Sequence, residues 1–249
     1  NFGSAVKYDS GWVGRYRAQG GTLLGVSILP SVAWRVGEQL SVGASLNVMY
    51  GIFENQVAIN NIIGPDGNLS LDDNAWGLGA NVGLLYEVDR GTRVGITYTS
   101  PVKLDFRAQT QWDGLAPGVR TLLASRGLLD AVVDLGVTVP QGVNASFYRE
   151  IDSRWAVLGS VGWQQWSRFG RVDIGVDSNN PVGLTTTLDF KDTWHVAGGA
   201  QYRLSDAWLL NGGIAYDSGF QDDGSVALAL PANAAWRFGI GGQKEESRS

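Results

Sequence analysis

Cysteine is absent, so no disulfide framework, thiolate metal site or cysteine nucleophile is possible. Histidine occurs once, at His195, which excludes multi-histidine metal sites. No apolar run reaches the roughly 18 residues that a transmembrane helix needs. Positive charge is sparse and scattered. With 19 Lys and Arg against 24 Asp and Glu the net charge is −5, and no basic cluster offers a surface for nucleic acid. G-x-S-x-G, P-loop and G-x-G-x-x-G patterns in a strand-turn-helix setting are missing too, so nothing points to catalysis or to a cofactor. At Asn1 there is neither a charged n-region nor an apolar h-region, so no signal peptide is read, and a mature or truncated product is expected.

What is present is alternation. Leu24, Val26, Ile28, Val32 and Trp34 oppose Gly25, Ser27, Ser31 and Arg35. The pattern recurs from Leu40 to Tyr50 and again from Trp76 to Tyr86. A period of two with one apolar face marks half-buried strands. Because the opposite face is small and polar rather than charged, the spacing predicts an all-β, antiparallel up-and-down transmembrane β-barrel. The 35 glycines and 10 tryptophans suit thin, close-packed strands with aromatic rims.

Nine strands are expected, over 18–35, 40–56, 74–88, 93–112, 135–150, 154–174, 182–203, 207–220 and 229–243. Short turns at Gly37-Glu38-Gln39, Asp89-Arg90-Gly91-Thr92, Asp152-Ser153 and Ser205-Asp206 alternate with longer linkers at 57–73, 113–134, 175–181 and 221–228. Strict alternation places the short turns at one end and the long loops at the other, as in outer-membrane barrels. Aromatics such as Trp34, Tyr50, Trp76, Tyr86, Trp155, Trp194, Tyr202, Trp208 and Tyr216 fall near strand ends, where interfacial girdles belong.

The linker after Asp113-Gly114 shifts to helical spacing. From Pro117 to Val133, the residues Val119, Leu122, Leu123, Leu129 and Val133 share a face, which predicts a short helix in an extracellular loop. These leucines either fill the barrel mouth or form an apolar landing surface. Lys103, Asp105 and Arg107 lie opposite Val102, Leu104 and Phe106, so they point into the lumen or stand above the membrane. Lys103 and Arg107 could receive a ligand carboxylate or simply pair with Asp105; Lys191 and Arg203 are in the same undecided class. His195 faces inward without a patterned carboxylate partner and reads as a polar lining residue. The acid pairs Asp72-Asp73 and Asp222-Asp223 could hold a cation weakly but read rather as solvated turns. Pro30, Pro101 and Pro140 imply edges, bulges or local breaks in pairing, from a sideways exit or from ordinary strand bending.

Several blocks resemble one family. Asn1-Phe2-Gly3 with Asp9 to Tyr16, Leu46 to Gly51, Tyr98 to Phe106, Val139 to Asn144, Asp192 to Tyr202, and Leu230 to Asn233 leading to Trp236-Arg237-Phe238-Gly239-Ile240-Gly241 are similar, in order, to the FadL/TodX transporters of long-chain fatty acids and hydrocarbons. That resemblance implies a fourteen-stranded outer-membrane barrel of a Gram-negative bacterium with a small N-terminal hatch. It also implies passive, non-enzymatic transport of hydrophobic molecules, captured in a groove between extracellular loops and passed through a pocket inside the barrel to a lateral opening. Leu122, Leu123, Leu129 and Val133 become the groove residues by this resemblance. The family's hatch, first strands and last strands are not matched, so the expected unit is a partial barrel over 1–243 with a disordered tail over 244–249. A monomer in contact with outer-membrane lipid is expected. The rival reading is a general diffusion porin or structural barrel. An outer-membrane lipase is disfavoured because His195 is its only candidate base.

Overall fold

The computed structural model describes residues 2–169, 171–177, 182–187, 190–221 and 233–244. In chain order its elements are β1 (Phe2–Lys7), β2 (Gly20–Ile28), β3 (Ser31–Arg35), β4 (Leu40–Ile59), β5 (Gly67–Asp89), β6 (Thr92–Thr99), β7 (Val102–Gln109), β8 (Gln111–Asp113) and α1 (Pro117–Ser125). There follow β9 (Val132–Val139), β10 (Gly142–Glu150), β11 (Trp155–Gln164), α2 (Trp166–Phe169), β12 (Arg171–Asp177), β13 (Val182–Thr187), β14 (Thr193–Ser205), β15 (Trp208–Asp217) and β16 (Ala235–Lys244). The main sheet runs β1-β2-β4-β5-β6-β10-β11-β14-β15-β16 with every neighbour antiparallel, and it curls as part of a barrel wall. None of the described helices is long and apolar enough to cross a membrane. The Asp222-Asp223 pair, the Leu230-Pro231-Ala232 start of the last expected strand and the chain after Lys244 lie outside the described residues.

Pairing aligns the two faces across the wall. Leu84, Ile96, Ala145, Val161, Val196 and Tyr216 form one cross-strand row, and Gly83, Thr97, Asn144, Gly162, His195 and Asp217 form the row behind it. The first row is apolar and belongs to a surface that includes exposed Leu78, Trp194, Val196 and Phe238. An exposed apolar face of this extent marks a surface built to be covered. Trp76 and Tyr86 are ten residues apart on β5, and Trp194 and Tyr202 are eight apart on β14. At about 3.3 Å per residue and a tilt near 40°, the two aromatic belts stand roughly 20–25 Å apart, the height of an outer-membrane apolar band. Within the belts, Trp155 packs on Tyr202 and Tyr216 on Trp236. The short turns are closed by local side chains: Asp152 Oδ1 accepts from the backbone N–H of Arg154 and Trp155 at 2.7 and 2.8 Å. These bonds hold its carboxyl below the usual value.

Most expected strands are present, with informative departures. The first, 18–35, divides into β2 and β3, yet both keep one register on β4, and the Pro30 carbonyl still accepts from Leu46 N–H at 3.1 Å. Proline therefore removes one ladder bond without shifting the pairing. Phe2–Lys7, not anticipated as a strand, pairs with β2. The third strand begins at Gly67 rather than 74, so the linker after β4 shrinks to 60–66. The helix is also shorter than its spacing suggests and stops at Ser125. Gly127 takes a positive φ of 68°, its N–H bonds Ala124 O, and Leu128 N–H bonds Leu123 O, a C-terminal cap that ends helical propagation.

Pro101 and Pro140 mark the level at which the wall changes character. Above them, β7, β9, β12 and β13 form a second, four-stranded sheet. Its β7 alternates strictly, with Val102, Leu104, Phe106 and Ala108 buried and Lys103, Asp105, Arg107 and Gln109 exposed. The buried face lies on the inner surface of β4 and β5, where Gly51, Gly77 and Gly79 leave room for it. This core extends through Val137 to Phe169, Phe190 and Phe220. A Cβ on Gly77 would meet Val102 Cγ1 at 2.4 Å and the Lys103 carbonyl at 2.5 Å. Backbone cannot give way as a flexible side chain can, so Gly77→Ala should destabilise the wall by about 1–3 kcal/mol. Gly198→Ala, with nothing within 4 Å of its new Cβ, should stay within about 0.5 kcal/mol of the parent. Thermal unfolding followed by heat-modifiable gel mobility checks the pair.

Candidate ligand-capture site at the loop end

Three loops meet beyond the upper aromatic belt. In the first, residues 8–19, Asp9 Oδ1 accepts from Gly11 N–H and Tyr8 stacks on Trp12, whose indole N–H bonds Ala18 O. In the second, residues 60–66, Asn60 Oδ1 accepts from Ile62 N–H at 2.7 Å and holds Ile62 at a φ of 67°. That region is costly for a β-branched residue, so the conformation is kept by its surroundings. The third carries α1, with Pro117 at its first turn.

Two polar knots join them. Arg15 Nε donates to Asp66 Oδ2 at 2.7 Å, Tyr16 OH donates to Asp66 Oδ1 at 2.9 Å, and the Arg15 guanidinium lies 4.4 Å from the Tyr16 ring centre. The Arg15 hydrogen bond, with Tyr16 assisting against desolvation, holds the Asp66 carboxyl below its ordinary value of 3.8. Asn61, nearly buried, is the second knot. Its Nδ2 donates to Pro65 O and Gly114 O at 2.7 and 2.8 Å, while its Oδ1 accepts from Ala116 N–H at 2.9 Å. One amide thus ties Ala116, the residue before the helix, to the 60–66 loop beside it.

On this polar frame stand bare apolar side chains. Ile62 and Ile63 are 86% and 85% exposed, Val13 is 88% exposed and Leu122 is 54% exposed. Of the residues expected in the groove, Leu122 stands open on α1 and Leu123 beside it is half-buried. Leu129 is half-buried beyond the helix, its carbonyl taken by Thr110 Oγ1. Val133 is not helical: it lies on β9, paired with Ala108 and Val176 on the apolar side of the second sheet. The helical face over Pro117–Val133 is therefore corrected, because Gly127 breaks it. Spacing alone missed the isoleucine pair, since an Asn-Asn-Ile-Ile-Gly-Pro stretch shows turn chemistry but not which side chains the turn presents.

The lumen charges also find their places. Lys103 and Arg107 project from the side of β7 opposite the core, so they face away from the wall that β7 covers. Arg107 pairs with Asp134 at 3.4 Å and Asp177 at 3.9 Å, rather than with Asp105. At this exposure the pairs contribute about 1 kcal/mol or less. Lys191 sits where its N–H meets Phe220 O at 2.8 Å. His195, read as lacking a carboxylate partner, has one across the strand: Asp217 Oδ1 lies 2.8 Å from its Nδ1.

Known proteins share this fold. A family model described as outer membrane protein transport protein (OMPP1/FadL/TodX) matches residues 1–243. The long-chain fatty acid transport protein of Salmonella typhi is 27% identical over 254 residues, covering 93% of this chain and 58% of that protein. Outer membrane protein P1 of Haemophilus influenzae (strain ATCC 51907 / DSM 11121 / KW20 / Rd) is 26% identical over 246 residues, covering 87% and 52%. The crystal structure of a Pseudomonas aeruginosa FadL homologue superimposes with a TM-score of 0.84 at 17% identity, over 99% of this chain and 61% of that one. The toluene transporter TodX of P. putida superimposes with a TM-score of 0.67 at 14% identity, over 100% and 67%. The chain thus spans little more than half the length of these curated relatives.

Removing the Asn61 amide leaves the Gly114 and Pro65 carbonyls and the Ala116 N–H without their partner. Asn61→Ala should loosen the loop end by about 1–3 kcal/mol and leave the wall intact. Hydrogen exchange at Ala116 and Ile62 against exchange on β14 checks this. Because the folded Asp66 pKa is depressed, its contribution is fully present above the ordinary 3.8 and is lost as pH falls through the lower folded value. Protection around Arg15 should hold from neutral pH down to about that point and then fall. Asp66→Asn should remove the dependence.

Proposed function

Because the chain belongs to the OMPP1/FadL/TodX family of outer membrane transport proteins, we propose that it takes part in passive uptake of hydrophobic small molecules, fatty acids or hydrocarbons, across the outer membrane. One observation carries this reading: Ile62, Ile63, Val13 and Leu122 are held out to water on loops that polar knots keep rigid. Exposed apolar side chains of this size on an ordered frame stabilise nothing by themselves and suit a ligand that buries them. Transfer from water would supply about 0.8 kcal/mol per methylene buried, which is enough to capture an alkyl chain or an aromatic ring without coupled energy. Leu122 is the groove residue that fits best, with Leu123 and Leu129 beneath it; Val133 supports the adjoining core. Residues 1–243 act as one unit in this reading.

The lower wall offers a smooth inner surface in Gly95, Ser146, Ser160 and Ala197, along which an apolar solute slides without strong binding. The second sheet, packed on the inner face of β4 and β5, weighs against a wide water-filled pore. In cells expressing the protein, Ile63→Asp with Leu122→Asp should lower the initial rate of oleate or toluene uptake at least several-fold, with the amount of assembled protein unchanged. Undiminished uptake would remove the capture site. A steady ohmic conductance of the purified protein in planar bilayers would favour the porin instead.

A further inference from the structure

Below the core, a line of charge crosses three neighbouring strands on the inner face. His195 on β14 and Asp217 on β15 are direct cross-strand partners, with Nδ1 and Oδ1 2.8 Å apart. From β16, Arg237 brings Nη2 to 2.9 Å from the second oxygen, Oδ2, an ion pair without hydrogen-bond alignment. A carboxylate accepts, so the tautomer of the uncharged imidazole that fits this contact carries its proton on Nδ1 and presents Nε2 as an acceptor. All three residues line a cavity of about 560 Å³, within the usual range for small-molecule sites. Its wall includes Trp166 and Phe220, whose rings stack on each other 4.8 Å apart at 13°.

The charge balance narrows what this cavity suits. Arg237 is offset by Asp217, so with the imidazole uncharged the constellation carries no net charge. An anion here would face the Asp217 carboxylate, and among the described lining residues Arg237, already paired, is the one Lys or Arg. What remains on offer is one acceptor, His195 Nε2, the guanidinium N–H groups not turned to Asp217, and an aromatic wall. An aromatic ring bearing one hydroxyl meets all three: its O–H donates to Nε2, its oxygen accepts from Arg237, and its ring lies on apolar surface. We propose that this cavity is a binding site for neutral hydroxylated aromatics of the phenol class, with His195 reading the hydroxyl and Asp217 fixing the tautomer that makes this possible. The proposal rests on the transport reading, since the cavity lies on the inner face of the same wall.

The test uses the full chain in lipid nanodiscs, with empty discs as reference, and fluorine NMR of two probes of similar shape. Para-fluorophenol donates and accepts, whereas para-fluoroanisole only accepts. The phenol should bind more tightly by roughly threefold to tenfold, the range of one neutral hydrogen bond. His195→Phe should abolish that preference. Asp217→Asn, whose amide N–H donates to Nδ1 and moves the proton to Nε2, should also shrink the ratio, and it carries the test if the His195 variant fails to fold. Equal affinities in the parent, a preference that survives in either folded variant, or tighter binding of para-fluorobenzoate than of the phenol would overturn the proposal. If it fails while Ile63→Asp with Leu122→Asp still lowers uptake, the transport reading stands. If the phenol preference holds while uptake ignores the loop substitutions, the loop capture site falls and this cavity remains.

Discussion

The architecture depends on how closely β7 can approach the long strands behind it. Leu104 and Phe106 reach the β4 backbone at Gly51, and Val102 reaches β5 at Gly77 and Gly79. Without side chains on those glycines, a sheet face settles directly on a sheet backbone. Leu104 then becomes fully buried, worth about 1.5–3 kcal/mol as an upper figure for a side chain of its kind. Everything above the aromatic belt is built on this seat: the second sheet takes its position from β7, and β9 and β12 follow by register.

A second constraint acts lower down. Between the belts, backbone groups facing hydrocarbon must be paired, and the antiparallel ladders supply partners on both sides for the wall strands from β4 to β15. Besides Pro30 and the register shifts near the short turns at Glu87–Asp89 and Arg203–Ser205, pairing is interrupted at Pro101 and Pro140, at the upper edge of the band. There Ser100 N–H bonds Ala80 O, and Ala80 N–H bonds the Ser100 hydroxyl, at 2.8 Å each. Side-chain oxygen thus replaces ladder bonds at the point where the strands leave the wall.

The loop end shows the reverse arrangement, with polar groups inside and apolar ones outside. Asn61 and Asp66 satisfy buried or partly buried donors and acceptors, which fixes three loops with little apolar core of their own. Because the frame is polar and local, Ile62, Ile63 and Leu122 can remain in water without the loops collapsing over them. That division separates stability from the proposed capture role: the knots hold the loops, and the exposed side chains contribute little to holding them. Below, the inner face of the wall is lined by small residues such as Gly95, Ser146, Ser160 and Ala197, against which the His195–Asp217 pair stands out as a polar row.

The sequence by itself determined most of the alternating segments, their faces and the end at which the loops lie, because a period of two is local and repeats along each strand, but not β1 or the second sheet. It also determined the helix start at Pro117, while the exposure of Leu122 was left open between a covered and a bare position. Much of the site was not legible in that way. Gly127 ended the helix before Leu129 and Val133 through a left-handed cap that spacing cannot register. Ile62 and Ile63 became exposed through a turn held by Asn60, and His195 gained Asp217 only through register across 22 residues of chain. Tertiary structure decided these points, because hydrogen-bond partners, close approaches to glycine backbone and the direction of a turn depend on atoms far apart in sequence.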